Sequence, residues 1–258
     1  MTLEGRVSIV TGSGSGIGRA IAAGLAADGA QVAVLDLNQA GAEETVELIR
    51  AAGGTARAWQ VDITDEAGID RVRDEVESAF GRANVIVNNA GWDEIRPFMD
   101  NDRDFIRKVV AINYLGPVTV TQAFLRGMID AGAGGRVVSI ASDAGRVGST
   151  GETVYAGAKG GIIGFTKSLA REMARHQVTV NCVCPGPTDT PLFHQQPEKM
   201  REALIRAIPF RRLGQPADIA HAVRFFASDG ASFITGQVLS DERWPHHGWL
   251  IQGGDRYW

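Results

Sequence analysis

Residues 6–18 read RVSIVTGSGSGIG, and this stretch decides the fold. Its first five residues are mostly valine and isoleucine, which is typical of a buried strand. The strand runs into a turn that carries Gly12, Gly16 and Gly18, where absent side chains allow a tight bend and a close approach of the backbone. A helix that begins at such a turn points its first amides at a phosphate. The stretch therefore predicts a strand, turn and helix that bind the pyrophosphate of a dinucleotide.

The second strand supplies an acid at the position where dinucleotide-binding units use one. Residues 31–36 read QVAVLD, and Asp36 stands eighteen residues beyond Gly18. A carboxylate there accepts hydrogen bonds from the ribose hydroxyls of NAD and repels the extra phosphate of NADP. Leu37 and Ser15 offer no cation to neutralise that phosphate. We predict NAD as the cofactor; the alternative is that Asp36 only ends a strand in a turn.

Seven short apolar runs alternate with longer segments of helical period such as AGAEETVELIRAAG. This alternation predicts an α/β protein of the Rossmann, doubly wound type, with a seven-stranded parallel sheet flanked by helices on both faces. No stretch resembles a linker, so we expect a single domain over residues 1–258. The predicted strands are RVSIV, QVAVLD, ARAWQVD, NVIVNNA, RVVSIAS, VTVNCVC and QVLS.

Composition excludes several classes of partner. The formal net charge of −4 gives no long-range attraction for nucleic acid or anionic lipid. No apolar run approaches the ~20 residues that cross a bilayer, and no basic stretch with an apolar segment opens the chain, so we expect a cytoplasmic protein. Cys182 and Cys184 lie two apart on a predicted buried strand without partners at metal-ligand spacing. We interpret them as reduced core residues and predict no metal site.

Residues 155–159 read YAGAK in a chain that has only three tyrosines and four lysines. In a helix Tyr155 and Lys159 leave the same face, and Ser142 ends the fifth strand thirteen residues earlier. Hydride transfer at a carbinol carbon needs a base, and a phenol with a pKa of ~10 is a poor one at neutral pH. We expect Lys159 and a positively charged nicotinamide to lower that pKa by ~3 units, which takes ~4 kcal/mol. Ser142 would hold the substrate oxygen; the alternative is a half-buried phenol beside a surface cation.

Two further strand ends lie on the same predicted edge of the sheet. Asp62, in QVDIT, either reaches the adenine amino group or caps the helix that begins near Glu66, and the sequence leaves both interpretations open. The stretch NNAG, residues 88–91, places two amides and a glycine where the backbone passes close to a ribose. Asparagines that merely end a strand are the alternative.

TGSGSGIG, NNAG, Ser142, YAGAK, PGPTDT and GQVLS, in this order, resemble the short-chain dehydrogenase/reductase family over nearly the whole chain. The resemblance implies an NAD-dependent oxidoreductase that interconverts a secondary alcohol and its ketone. It implies that Ser142, Tyr155 and Lys159 are catalytic, and that Asn113 holds a water in a proton relay to Lys159. The cofactor-binding residues that the pattern and the resemblance imply are Gly12, Ser15, Gly16, Ile17, Gly18, Asp36, Leu37, Asp62, Ile63, Asn89, Ala90, Gly91, Tyr155, Lys159, Pro185, Gly186, Thr188 and Thr190.

The substrate is expected to be a small-molecule alcohol or ketone covered by a segment at about 187–215. Several stretches are similar to those of family members that oxidise a ring hydroxyl beta to a CoA thioester. Trp92, Val147 and Phe193 would line an apolar pocket for the ring, and Arg146 or Arg211 would meet CoA phosphates. The alternatives are a 3-oxoacyl thioester reductase, a dehydrogenase of cyclic or aryl alcohols without CoA, and a non-catalytic NAD(H)-binding regulator.

The segment 154–175 carries four glycines, each costing up to ~1 kcal/mol relative to alanine, which suggests that another backbone packs closely. In similar proteins this helix faces its counterpart in a second subunit, so we expect a homodimer or homotetramer; the alternative is packing against the chain's own sheet. The tail 241–258 departs from the family pattern. Its candidate pocket or subunit-contact residues are Trp244, His246, His247 and Trp249.

Overall fold

A computed structural model describes residues 2–194 and 198–240, and within them all seven predicted strands form a single parallel sheet. The strand order is β3-β2-β1-β4-β5-β6-β7, so the chain leaves β1 toward one edge and returns at β4 to build the other half. This confirms the doubly wound α/β fold. The strands are β1 Val7–Thr11, β2 Gln31–Asp36, β3 Thr55–Gln60, β4 Val85–Asn88, β5 Gly135–Ile140, β6 Val178–Cys184 and β7 Val238–Ser240.

The helices cover both faces of the sheet, as the sequence predicts. Side chains of α1, α2 and α10 pack with alternate strand residues in one core, and those of α3, α5 and α7 pack in a second core on the other face. The helices are α1 Gly16–Ala27, α2 Gln39–Ala51, α3 Glu66–Phe80, α4 Arg103–Val110, α5 Gly116–Ala131, α6 Ala144–Val147, α7 Thr153–Met173, α8 Pro191–His194, α9 Glu198–Ala207 and α10 Pro216–Ala227.

Strand alternation decides which core each residue enters. Within β2, Val32 and Val34 belong to the first core, whereas Ala33 and Leu35 belong to the second. Strands buried on both faces read as continuous apolar runs, which is why these runs could be recognised without a helical period. Among the helices of the described residues, none combines the length and apolar character that a membrane crossing needs.

The reversal of strand order between β1 and β4 creates a crevice at the carboxyl ends of the strands, the usual ligand-binding place in such sheets. The turn between β1 and α1 borders this crevice. Gly12 has φ +63°, and a Cβ there would lie 2.7 Å from Cα of Ala90. A Cβ on Gly18 would overlap the carbonyl oxygen of Gly12 and the side-chain amide of Asn89. The glycines therefore let α1 pack directly on the turn.

Replacement of Gly18 by alanine tests this packing. Because the added methyl group meets backbone on one side and an engaged amide on the other, Gly18→Ala should lower the free energy of unfolding by about 3 kcal/mol. Urea denaturation measures the change. The matched control is Gly230→Ala, where the nearest atom is the Ser228 hydroxyl oxygen at 3.5 Å and a change within about 0.5 kcal/mol is expected. Equal stabilities of the two variants would contradict the packing described.

Candidate active site

The acid at the end of β2 lies directly beside the glycine-rich turn. The Gly14 amide donates to Oδ2 of Asp36 at 2.7 Å, and the Asn38 amide donates to Oδ1 at 2.8 Å. Both carboxylate oxygens are thus oriented by backbone donors at the carboxyl edge of the sheet. Leu37 follows with an exposed side chain, and Ser15 precedes α1 as its N-cap residue without a side-chain capping bond.

Asn89 joins the end of β4 to the same turn. Its side-chain amide donates to the carbonyl oxygens of Thr11 at 3.0 Å and Gly12 at 2.9 Å. The Thr11 hydroxyl in return accepts from the backbone amides of Asn89 and Ala90, both at 3.1 Å. Residues 88–91 therefore come back against the turn, where the sequence placed the ribose contact. Asn89 also holds the strand ends together, so the strand-ending interpretation accounts for part of its role.

The segment after β6 closes over the turn from the opposite side. A Cβ on Gly16 would lie 3.5 Å from the methyl carbon of Thr190. The Thr188 hydroxyl donates to the carbonyl oxygen of Gly186 at 3.0 Å, and the carbonyl oxygen of Pro185 accepts from the amide of Asp143 at 3.0 Å. Residues 185–190 are thus held between the glycine turn and the loop after β5.

These residues fit a bound dinucleotide. The turn presents backbone without side chains, its helix N-terminus is open at Ser15, and Asp36 stands where a ribose would lie. The cation nearest to the turn in sequence is Arg19, and its guanidinium donates to Glu44 at 2.9 Å and to Thr45 at 3.0 Å. Its charge is therefore already matched by a carboxylate.

Asp62 lies two residues after β3 and does not cap the next helix. Its Oδ1 accepts from the amide of Thr64 at 2.8 Å and from the Thr64 hydroxyl at 2.7 Å, whereas the N-cap residue of α3 is Asp65. Of the two interpretations that the sequence left open, the one in which Asp62 caps α3 is therefore wrong. Ile63 is buried, and a Cβ on Gly116 would contact its side chain, so it serves as a packing residue of this edge.

The structure brings Ser142, Tyr155 and Lys159 together at the carboxyl end of β5. Lys159 is buried on α7, and its ammonium donates to the carbonyl oxygen of Ile140 at 2.9 Å. The same nitrogen lies 5.6 Å from the ring centroid of Tyr155. Ser142 follows β5 and forms a hydrogen bond with the Tyr155 phenol. The predicted same-face arrangement of tyrosine and lysine on one helix is therefore present.

Burial shifts the pKa values of both Tyr155 and Lys159 in the protein without cofactor. Burial raises the pKa of Tyr155 above its ordinary value, the negative charge of Glu152 raises it further, and the hydrogen bond with Ser142 only partly offsets this. Burial lowers the pKa of Lys159 to about 8. Desolvation thus outweighs the hydrogen bond from Ser142 in the protein without cofactor, and the expected lowering of the phenol pKa by Lys159 together with a bound nicotinamide stays a prediction.

Asn113 lies in a π-helical turn, Ala111–Leu115, between α4 and α5. Its buried side chain accepts from the Trp92 amide at 3.2 Å and donates to the carbonyl oxygens of Trp92 at 2.6 Å and Val109 at 2.9 Å. The side chain thus fixes the loop after β4. Since π-helical turns recur at functional sites, the turn is itself a local mark of one. The proton relay through Asn113 stays a prediction.

Two acidic residues at this site were missed by the sequence analysis. Asp93 follows the NNAG stretch, and Glu152 stands three residues before Tyr155, so that one helical turn separates it from the phenol. Burial and the neighbouring carboxyl of Glu152 raise the pKa of Asp93 to about 7, and burial also raises the pKa of Glu152. The spacing of Glu152 from Tyr155 was visible in the sequence, whereas its contact with Asp93 was not.

The predicted substrate-pocket residues are placed separately. The Trp92 ring packs on α4, 5.7 Å from the Phe105 ring centroid and 3.6 Å from the Lys108 ammonium. Val147 is exposed on α6, and Phe193 on α8 contacts His194. None of the contacts found among the described residues joins these three side chains, so their common pocket stays a prediction.

Other candidates fall outside a pocket or outside the described residues. Arg146 pairs with buried Asp143 at 2.5 Å, and Arg211 donates to the carbonyl oxygen of Arg206, so both arginines have partners within the chain. The tail 241–258, with its tryptophans and histidines, lies outside the residues that the structure describes.

The two cysteines lie in the core as predicted. Cys182 and Cys184 are fully buried free thiols on β6, packed with Ala141 and Ile162. Within residues 2–194 and 198–240, no group of three or more histidine, cysteine, aspartate or glutamate side chains is arranged to hold a metal ion.

Fold and site together define an oxidoreductase of the dinucleotide-binding class. A family described as "Enoyl-(Acyl carrier protein) reductase" matches residues 12–241. This match and the relatives below show that the chain belongs to the short-chain dehydrogenase/reductase family, which confirms the resemblance found in the sequence.

The relatives match over almost their entire lengths. The chain is 38% identical to the (3R)-3-hydroxyacyl-CoA dehydrogenase of Canis lupus familiaris over 92% of this chain and 94% of that one. It is 40% identical to the 3-oxoacyl-[acyl-carrier-protein] reductase of Pseudomonas aeruginosa, covering 93% and 96%. The crystal structure of levodione reductase superimposes with a TM-score of 0.89 at 32% identity, covering 93% of this chain and 96% of that one.

Proposed function

We propose that this oxidoreductase is an NAD-dependent dehydrogenase of 3-hydroxyacyl thioesters, acting through Ser142, Tyr155 and Lys159. The observation that carries the proposal is the buried ammonium of Lys159 beside the Tyr155 phenol and Ser142 at the carboxyl edge of β5. Strongly shifted pKa values cluster at catalytic sites, and those of Lys159 and Tyr155 therefore make the two side chains candidates for proton transfer. A non-catalytic NAD(H)-binding regulator would not require this pair.

Each of the three side chains has a distinct part in the reaction. When bound, the nicotinamide ring accepts or returns the hydride. Tyr155 takes the proton of the substrate hydroxyl during oxidation, and Ser142 donates a hydrogen bond to the same oxygen. Lys159 stabilises the phenolate, and its pKa of about 8 allows it to release and regain a proton near neutral pH.

The choice of NAD rests on Asp36. Its carboxylate lies on the glycine-rich turn, held by the amides of Gly14 and Asn38. A ribose hydroxyl can donate to this carboxylate, whereas a phosphate at the same position would meet a like charge. Arg19 donates to the carbonyl oxygen of Gly14 in this turn, but its charge is already paired with Glu44.

The thioester is supported by the names of two relatives, which act on 3-hydroxyacyl-CoA and on 3-oxoacyl groups of the acyl carrier protein. The hydroxyl group in such substrates lies beta to the thioester. The ring alcohol suggested by the sequence, 2-hydroxycyclohexanecarboxyl-CoA, has the same arrangement and is a narrower candidate within this class. A cyclic alcohol without CoA is a second candidate, favoured by the structural likeness to levodione reductase.

We also propose a homodimer or homotetramer that uses α7. Two of its glycines pack against other parts of the same chain. A Cβ on Gly161 would meet the Tyr114 ring, and one on Gly160 would approach the carbonyl oxygen of Gly145. Gly157 and Gly164 border open space. The part of α7 that carries these two glycines is therefore available to a second copy of the chain.

Replacement of Tyr155 by phenylalanine tests the assigned base. Tyr155→Phe should lower kcat by about 10³-fold because the proton acceptor is lost. NADH binding, measured by fluorescence titration, should stay within a few fold. Tyr114→Phe is the matched control, since that ring packs against Gly161, and it should keep most of the turnover. Full activity of Tyr155→Phe would refute the assignment.

Replacement of Asp36 by alanine tests the cofactor. The ratio of NAD to NADP affinity should fall about tenfold or more, because Asp36→Ala removes a hydroxyl acceptor and a charge that repels phosphate. The ratio is the readout, since a general disturbance of the turn would weaken both cofactors equally. Glu43→Ala, at an exposed acid on α2, should leave the ratio unchanged. A similar ratio in Asp36→Ala would contradict the role of this carboxylate.

A further inference from the structure

Asp93 and Glu152, called here the carboxyl pair, come from two loops that meet beside the catalytic residues. Asp93 lies in the loop after β4, and Glu152 is the N-cap residue of α7. The loops are joined by a hydrogen bond from the Arg96 amide to the carbonyl oxygen of Gly151 at 3.0 Å. Both loops lie at the carboxyl edge of the sheet, where substrates of this fold class bind.

The placement of the carboxyl pair does not favour the stability of the fold. The Glu152 side chain makes no hydrogen bond with the first free amides of α7 and instead contacts Ser149 and Asp93. Oδ2 of Asp93 is buried without a hydrogen-bond partner among the residues that the structure describes, although the carboxyl group accepts from the backbone of Glu94 and contacts the side chain of Glu152. Two half-buried carboxyl groups in contact favour the state in which they share a proton.

The carboxyl pair also acts on the reactive phenol. Ionised Glu152 and ionised Asp93 each raise the pKa of Tyr155, and ionised Asp93 also favours the charged form of Lys159. The pair is therefore within electrostatic reach of the place where a substrate must present its hydroxyl group to Tyr155. The carboxyl pair thus makes the ionisation of Tyr155 less favourable, an effect that a pair with only a structural role would not need.

We propose that the carboxyl pair is a specificity determinant that holds one proton and favours substrates whose group beside the reacting carbon is neutral, a thioester over a free carboxylate. This inference rests on the proposed function. In a 3-hydroxyacyl thioester the carbonyl oxygen lies two carbons from the carbinol carbon. That neutral oxygen meets no repulsion from the charge of the pair, whereas a carboxylate at the same place meets a like charge.

The selection should depend on pH. Because burial and Glu152 raise the pKa of Asp93 to about 7, the negative charge of the carboxyl pair grows as the pH rises through this value. The other titratable groups that interact with the pair are Glu94 of the same loop and Tyr155 and Lys159 of α7. Glu94 is exposed and paired with Arg96 at 2.6 Å, so none of these groups adds a third buried carboxyl group to the pair.

Binding of two ligands that differ in charge and by one methyl group to the NADH complex tests the inference. Methyl acetoacetate is neutral and acetoacetate is charged, and their Kd values follow from the change in NADH fluorescence at about one pH unit on either side of 7. The wild-type preference for the ester should rise about tenfold between the two pH values. In Asp93→Asn it should change less than about threefold, because the amide does not ionise. The double variant Asp93→Asn/Glu152→Gln should bind both ligands about equally.

The control is Asp104→Asn, which makes the same chemical change at an exposed acid of α4 and should keep the wild-type rise. A pH-independent preference in the wild type, or a full rise in Asp93→Asn, would overturn the inference. The proposed function is tested separately, by turnover of a 3-hydroxyacyl-CoA with NAD. If 3-hydroxyacyl-CoA is not turned over but the ester preference rises with pH as expected, the proposed substrate is refuted and the role of the carboxyl pair is not.

Discussion

The structure depends on one constraint: a buried lysine and a half-buried phenol lie together where α7 meets the end of β5. The Lys159 ammonium gains the carbonyl oxygen of Ile140, and the phenol gains Ser142, but neither bond replaces full solvation. Desolvation therefore moves the two pKa values in opposite directions, each toward the neutral form. The site without cofactor therefore disfavours the phenolate form of Tyr155, and a positively charged ring beside the phenol can offset this effect.

The surrounding elements keep this environment in place. Asn89 ties the end of β4 to the glycine turn, and Asn113 holds the backbone of Trp92 from the opposite side through its π-helical turn. The loop that carries Asp93 is thereby fixed at both the cofactor and the helix side. Orientation by backbone hydrogen bonds needs no rearrangement at the moment of reaction, which is how such sites stabilise developing charge.

Much of this was predictable from local patterns. Strand runs, the glycine turn, Asp36 and the four-residue spacing of Tyr155 and Lys159 each follow from the period or geometry of one segment. The direction of the phenol pKa was not predictable, because it depends on burial by segments far apart in the chain. The contact of Asp93 with Glu152 spans 59 positions between two loops, and no helical or strand period reports such a contact. The π-helical turn at Asn113 likewise has no simple sequence signal, since the flanking helices read as one.

The most direct measurement is the ionisation of Tyr155 itself. The sequence has three tyrosines, and in the variant Tyr114→Phe/Tyr257→Phe only Tyr155 remains. Tyrosinate absorbance in the near ultraviolet then reports its titration alone. The phenol should ionise above its ordinary pKa of ~10 in the free protein and at least one unit lower with NAD⁺ bound, while NADH should produce a much smaller change. Ionisation below ~10 without cofactor, or identical titrations with NAD⁺ and NADH, would contradict the account.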